Sequence, residues 1–222
     1  MKKLLFVVIV LMSFKSFSQS LPRQISLDDQ IMKYNGFTVS YNNSHEQANW
    51  VYYTITSEDL TCETKINRKN KFYEDYRLKG HSAYLSDYKG SGYDRGHLKS
   101  SADESCNQEQ NDETFVMSNM SPQHPSFNRG AWKKLETYVR SLAMENDSVS
   151  VFTGGVLTDN LKTIGENKVS VPEYFYKVIY TYKNGKVAVI CYNLPNKKIT
   201  EPLYTYSITL EVLEKFVGID FP

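Results

Sequence analysis

Residues 175–182, FYKVIYTY, and 186–192, KVAVICY, stand on either side of Lys183-Asn184-Gly185. Both flanks are dense in β-branched and aromatic side chains, which suit a pleated, half-buried strand. An Asn-Gly pair accepts the positive φ angles of a two-residue turn whose twist matches that of the strands it joins. The stretch therefore reads as a β-hairpin, and an antiparallel sheet is the expected centre of the fold. Working outward, 50–56 (WVYYTIT) is a further strand by the same composition, and 149–153 another, ended by Gly154-Gly155. Helical spacing appears over 128–144, where Trp132, Leu135, Val139 and Leu142 recur three and four residues apart. A second helix is expected over 209–217, with Gly218 closing it. The interval 77–114 is polar, rich in Gly and Ser and long for a connection, and such loops in compact domains often carry function. The expected class is α+β, a central antiparallel sheet flanked by helices.

At the N-terminus Met1-Lys2-Lys3 precedes an almost purely apolar run from Leu4 to Phe14, followed by small and polar residues from Ser16 to Ser20. That is the pattern of a signal peptide over residues 1–20, leaving 21–222 as a single domain. A membrane span needs roughly 20 apolar residues, and this run is shorter and closed by Lys15. The expectation is an exported protein, periplasmic or extracellular, with no stable membrane association. Removing the leader takes away three lysines and no acid, so the formal charge falls from +1 to −2. A global basic field is absent, and a nucleic-acid partner would require locally concentrated cations. They are concentrated: Lys65, Arg68, Lys69, Lys71, Arg77, Lys79, Lys89, Arg95 and Lys99 fall in one interval, and Arg129, Lys133, Lys134 and Arg140 follow. A solvated face would explain either run alone.

What lies between them is chemically specific. Asp94-Arg95-Gly96-His97 places an acid, a cation and an imidazole within four residues. Phosphodiester hydrolysis needs a base for the attacking water, positive charge at the phosphoryl oxygens and stabilisation of the departing alkoxide. An unperturbed histidine titrates near 6.5, so at neutral pH it can accept that proton. By itself His97 fits a surface or core histidine equally well. Downstream, Trp132 and Leu135 are expected to point toward the core of a helix beginning near Asn128, while Glu136, two turns on, stays near the same side as Asn128. An amide oxygen and a carboxylate facing one pocket suit magnesium, which takes oxygen ligands and keeps several waters. Asn128 is also a good helix cap, and that alternative stays open.

The combination resembles the DNA/RNA non-specific endonuclease family, which includes secreted bacterial nucleases and mitochondrial endonuclease G. The resemblance runs from about Tyr34 to Gly218, on Asp94 to His97, Asn119 to Gln123, and Asn128 to Glu136. Weaker markers are Ala48 to Val51, Arg68 with Phe72 and Asp75, Phe152 to Gly154, and Val171-Pro172 leading into Lys177-Val178. Two departures stand out, Ser100 where the family often has proline and Gly155 where Thr-Gly-Pro is common.

The resemblance implies a ββα-metal, or His-Me finger, motif and an enzyme cutting both DNA and RNA. It implies magnesium, with manganese as a substitute, held directly by Asn128. His97 is then the general base and Glu136 an acid that holds the ion's water. Asn119 orients His97 and the pocket, Arg68 contacts the phosphoryl group, Arg95 assists substrate charge, and Asp94 positions backbone or water. Attack by water in line with the departing 3′ oxygen would leave 5′ phosphates and need no 2′-hydroxyl. Rival readings are a non-catalytic nucleic-acid-binding protein on the same fold and a narrower toxin or defence nuclease. The sequence leaves open whether the protein forms a homodimer and whether it has an inhibitor protein as a partner. Cys62 and Cys106 flank the segments carrying Arg68 and His97, so a disulfide between them is expected, with Cys191 a small apolar residue in a strand.

Overall fold

A computed structural model of the chain describes residues 21–22 and 29–222. The expected signal peptide, 1–20, lies outside the described residues. Strands β1 (Gln30–Lys33), β2 (Thr38–Asn42) and β3 (Gln47–Ile55) lead into the short helices α1 (Ser57–Leu60) and α2 (Leu85–Tyr88). Next come β4 (Asp94–His97), α3 (Gln108–Glu113) and β5 (Met120–Gln123), then a wide π turn over Phe127–Trp132 that runs into α4 (Lys133–Glu145). The chain continues through β6 (Ser148–Gly155), β7 (Thr163–Ile164), β8 (Val169–Ser170), β9 (Tyr174–Lys183), β10 (Lys186–Pro195) and β11 (Ser207–Ile208) to α5 (Leu210–Val217).

Seven strands form one antiparallel sheet in the order β1-β2-β3-β6-β9-β10-β11. The hairpin of β9 and β10 forms as read, Tyr182 opposite Val187, with Asn184 at φ 50° and Gly185 at φ 72°. Along β9 the side chains divide by parity. Phe175 and Ile179 enter a core shared with Trp132, Leu135, Val139 and Ala143 of the π turn and α4. Tyr176, Val178 and Tyr180 enter a second core with Leu213 of α5, Ile219 and Phe221. Strand β3 splits in the same way, Val51, Tyr53 and Ile55 to the first core, Trp50 to the second. Both faces are covered, which is why these strands read as nearly continuous apolar runs. Among the described residues no helix is long and apolar enough to cross a membrane.

The interval 77–114, expected as a loop, is not one throughout. Asp94–His97 is a strand, paired antiparallel with β5 so that Asp94 faces Gln123 and His97 faces Met120. Four residues containing glycine, aspartate and arginine carry almost no strand propensity, and tertiary pairing overrides it. Gly96 is obligatory there, since a Cβ at that position would come within 2.2 Å of the Gln123 side chain. Cys62 and Cys106 are joined by a disulfide, and Cys191 is a buried free thiol in β10.

Candidate active site

The ribbon of β4 and β5 and the helix that follows it form one wall of a cavity of about 490 Å³. Two hydrogen bonds hold the strand that carries His97 to the core. Trp132 donates Nε1–H to the His97 carbonyl at 3.0 Å, and Lys177 donates from Nζ to the Leu98 carbonyl at 3.2 Å. Consecutive carbonyls are thus gripped by one residue from the π turn and one from β9. The His97 ring stands edge-on to Phe115 with centroids 4.9 Å apart and lies 5.7 Å from Phe72. Phe72 comes from a segment tied beside the ribbon, where Tyr73 N–H donates to Phe115 O and Met117 N–H donates to Tyr73 O.

This setting decides the protonation of His97. Burial, with the Arg68 and Arg95 charges nearby, pushes its imidazole down to about 3. The ring is neutral throughout the physiological range, and its Nε2 is enclosed with no hydrogen-bond partner among the described residues.

Asn128 sits inside the π turn, two residues past Ser126, which occupies the N-cap position, so Asn128 is not the cap. Instead its Nδ2 donates to Asp94 Oδ2 at 3.0 Å. The same carboxylate accepts a two-pronged contact from Arg129, at 2.9 Å from Nε and 2.7 Å from Nη2. Burial alone would raise the Asp94 carboxyl, but the hydrogen bonds from Arg129 and Asn128 hold it below the usual range. Asp94 therefore grips two side chains of the π turn. With Nδ2 committed, Asn128 keeps Oδ1 as its free acceptor.

Glu136 lines the same cavity as Ser100. Burial raises the Glu136 carboxyl, opposed by Lys177 and Arg140. Lys177 is fully buried, with a second bond to Thr153 Oγ1 at 3.1 Å and its ammonium 4.2 Å from the Trp132 ring centroid. Burial lowers it, since a charged amine is costly there. Arg140 is held by Asp103 at 2.8 Å.

Five of the seven expected residues thus line one cavity: Arg68, Arg95, His97, Asn128 and Glu136. Asp94 stands at its wall. Asn119 lies behind it, fully buried, accepting from Lys99 N–H at 2.9 Å and donating to Lys99 O and Thr114 O. Its bonds fall two residues past the His97 ring. Sequence reasoning missed Arg129, Lys133, Arg140 and Ser100 as lining groups and Lys177 as a support. The basic run after Asn128 held the signal for the first three. Counting side chains, five cations face one acid in this cavity, an arrangement suited to a polyanion.

No group of three or more His, Cys, Asp or Glu side chains able to hold a metal occurs among the described residues. A cage of protein ligands is therefore not what these residues build. One amide oxygen beside an acid suits an ion that keeps most of its water, as magnesium does.

Sequence comparison decides the family. Residues 19–222 match the DNA/RNA non-specific endonuclease family. The chain belongs to it. A nuclease from Nostoc sp. is 33% identical over 218 residues, covering 92% of this chain and 77% of that protein. Human mitochondrial endonuclease G is 32% identical over 206 residues, covering 86% of this chain and 69% of its own. In three dimensions the chain is similar to a solved EndoG/EndoGI complex, a study of EndoG inhibition, with TM-score 0.82 and 32% identity over 87% of this chain and 85% of that one. This family member's α+β fold is that of its structural neighbour, and its activity class is that of a nuclease acting on DNA and RNA.

Proposed function

We propose that the chain is an exported, magnesium-dependent endonuclease, a single nuclease domain over 21–222 behind a signal peptide, which cleaves DNA and RNA without regard to sequence and leaves 5′ phosphates. The observation that carries the reading is that His97, Asn128 and Glu136 line one cationic cavity although 31 and 8 positions separate neighbouring members. His97, held neutral in the cavity wall, takes the proton from the attacking water. Arg68 and Arg95 draw the phosphate in, each cation lying over an aromatic ring, Phe115 at 5.2 Å and Phe72 at 4.3 Å, which fixes its place. Asn128 would hold the ion through Oδ1, with Glu136 ordering water beside it and Asp94 fixing the amide's orientation. Bound magnesium would offset charge on the phosphoryl oxygens and on the departing 3′ oxygen. Since every named group addresses phosphate or water, base identity and the 2′-hydroxyl have little influence.

The test is incubation of purified protein with plasmid and with total RNA, in magnesium, manganese and chelator, followed by ligation of the products. Cleavage of both substrates with metal, and ends that ligate without a kinase, are expected. Undiminished cleavage in chelator, or ends that ligate only after kinase treatment, would refute the metal or the product assignment. The signal peptide is tested by the N-terminus of protein recovered outside the cytoplasm, which should lack residues 1–20.

A further inference from the structure

The cavity that holds His97 does not end at Arg95. Arg95 also lines a second hollow of about 550 Å³ together with Lys89 and Tyr93. Tyr93 in turn lines a third, of about 350 Å³, with Lys162 and Lys197. Arg95 and Tyr93 are shared walls, so the three hollows adjoin in series. On the far side of the cavity the ring under Arg68, Phe115, opens onto a different hollow.

Charge separates the two directions. The hollow beside Phe115 sets Lys69 and Lys71 against Glu109, Asp112 and Glu113, and Lys69 is already bound to Asp112 at 2.6 Å. On the Tyr93 side Lys89, Lys162 and Lys197 are exposed, and none forms an ion pair among the described residues. Of the two acids there, Asp94 is occupied by Arg129 and Asn128, leaving Glu173. A phosphate chain leaving the cavity meets net positive charge in one direction and net negative charge in the other.

This surface is also preformed. Tyr93 N–H donates to Ser91 Oγ at 3.1 Å, and Ser91 donates to Tyr88 O at 2.8 Å. Val171 N–H donates to Lys162 O at 2.7 Å. Asn196, beside Lys197, donates to Pro122 O and Pro172 O, pinning that loop to the end of β5. We infer that one nucleic-acid strand leaves the cavity at Arg95, crosses Tyr93 and is held by Lys162 and Lys197 at backbone phosphates beyond the one that is cleaved. The Lys162 ammonium lies 5.3 Å from the Tyr93 ring centroid, so a phosphate drawn to it sets its sugar or base against that ring. The inference rests on reading the cavity as the cleavage site.

The experiment measures binding of a fluorescein-labelled single DNA strand, long enough to fill all three hollows, by anisotropy in chelator across a salt series. Plasmid cleavage in magnesium is followed separately. For K162A/K197A the slope of log affinity against log salt should become shallower by about 1.4, two phosphates at roughly 0.7 each. K69A/K71A should leave the slope in place. The inference is overturned if K162A/K197A keeps the wild-type slope, if K69A/K71A flattens it instead, or if the wild-type protein does not bind the strand at low salt. Should the strand bind with the expected slopes while plasmid remains uncut, the cleavage reading fails and the track stands.

Discussion

Asn128 and Asp94, 34 positions apart, are joined by one hydrogen bond of 3.0 Å that decides which end of the Asn128 amide is free. Without it the amide could present either oxygen or nitrogen to the cavity. Asp94→Ala should therefore weaken magnesium binding about 10- to 100-fold, the usual effect of removing a partner that orients a ligand. Titration calorimetry with magnesium checks this, and an unchanged affinity would separate Asp94 from the metal site. Asn128→Ala should abolish the metal response altogether.

His97→Ala should lower turnover on plasmid by at least roughly 10²-fold, the lower end of what a general base contributes. Circular dichroism should show the fold intact, because the ring is held by edge contacts with Phe72 and Phe115 and the strand by backbone carbonyls. Wild-type turnover in this variant would remove the imidazole from the reaction.

The same imidazole ties stability to pH. Its folded value of about 3 lies below the roughly 6.5 of an unfolded histidine. Between those values the unfolded chain binds the additional proton, so stability is full above about 6.5 and is lost as pH falls toward 3. At pH 4.5 the loss from this group is up to about 2–3 kcal/mol, at about 1.36 kcal/mol per pH unit. Urea denaturation of wild type and His97→Gln at pH 7 and pH 4.5 should show a smaller acid loss in the variant. Equal losses would mean that the ring is protonated in the folded protein.

Lys177 supports the site from inside the sheet. Lys177→Ala removes the donor to Leu98 O and the buried cation that most opposes the rise of the Glu136 carboxyl, at an expected cost of about 3–5 kcal/mol. Lys177→Met with Glu136→Gln should recover a large part of that loss by removing both charges. Denaturant midpoints of the two singles and the double measure the coupling, and strictly additive losses would show that the two groups do not interact.

The disulfide between Cys62 and Cys106 closes 44 residues, including Arg68 and His97. In the chain-entropy treatment a loop of that size stabilises by about 4 kcal/mol. One free thiol, Cys191, should be titrated under denaturing, non-reducing conditions. Reductant should lower the melting temperature, and a count of three thiols would show that the bridge does not form in solution.

The sequence by itself determined the local choices. Asn184-Gly185 between two β-branched runs specified the hairpin, because the turn angles and the strand preference are properties of those residues alone. The spacing of Trp132, Leu135 and Val139 specified a helix with a buried face. Asp94 to His97 could be recognised as chemistry but not as a strand, since its residues have no preference for one and its partner, Met120–Gln123, lies 23 positions on. Only the tertiary structure decided the rest: that Asp94 holds Asn128, that Arg129 and Arg140 join the cavity wall, and that a lysine in the apolar β9 run turns inward beneath His97. Each of these depends on distances between segments far apart in the chain, and such distances are set by packing around the shared sheet, which no local pattern encodes.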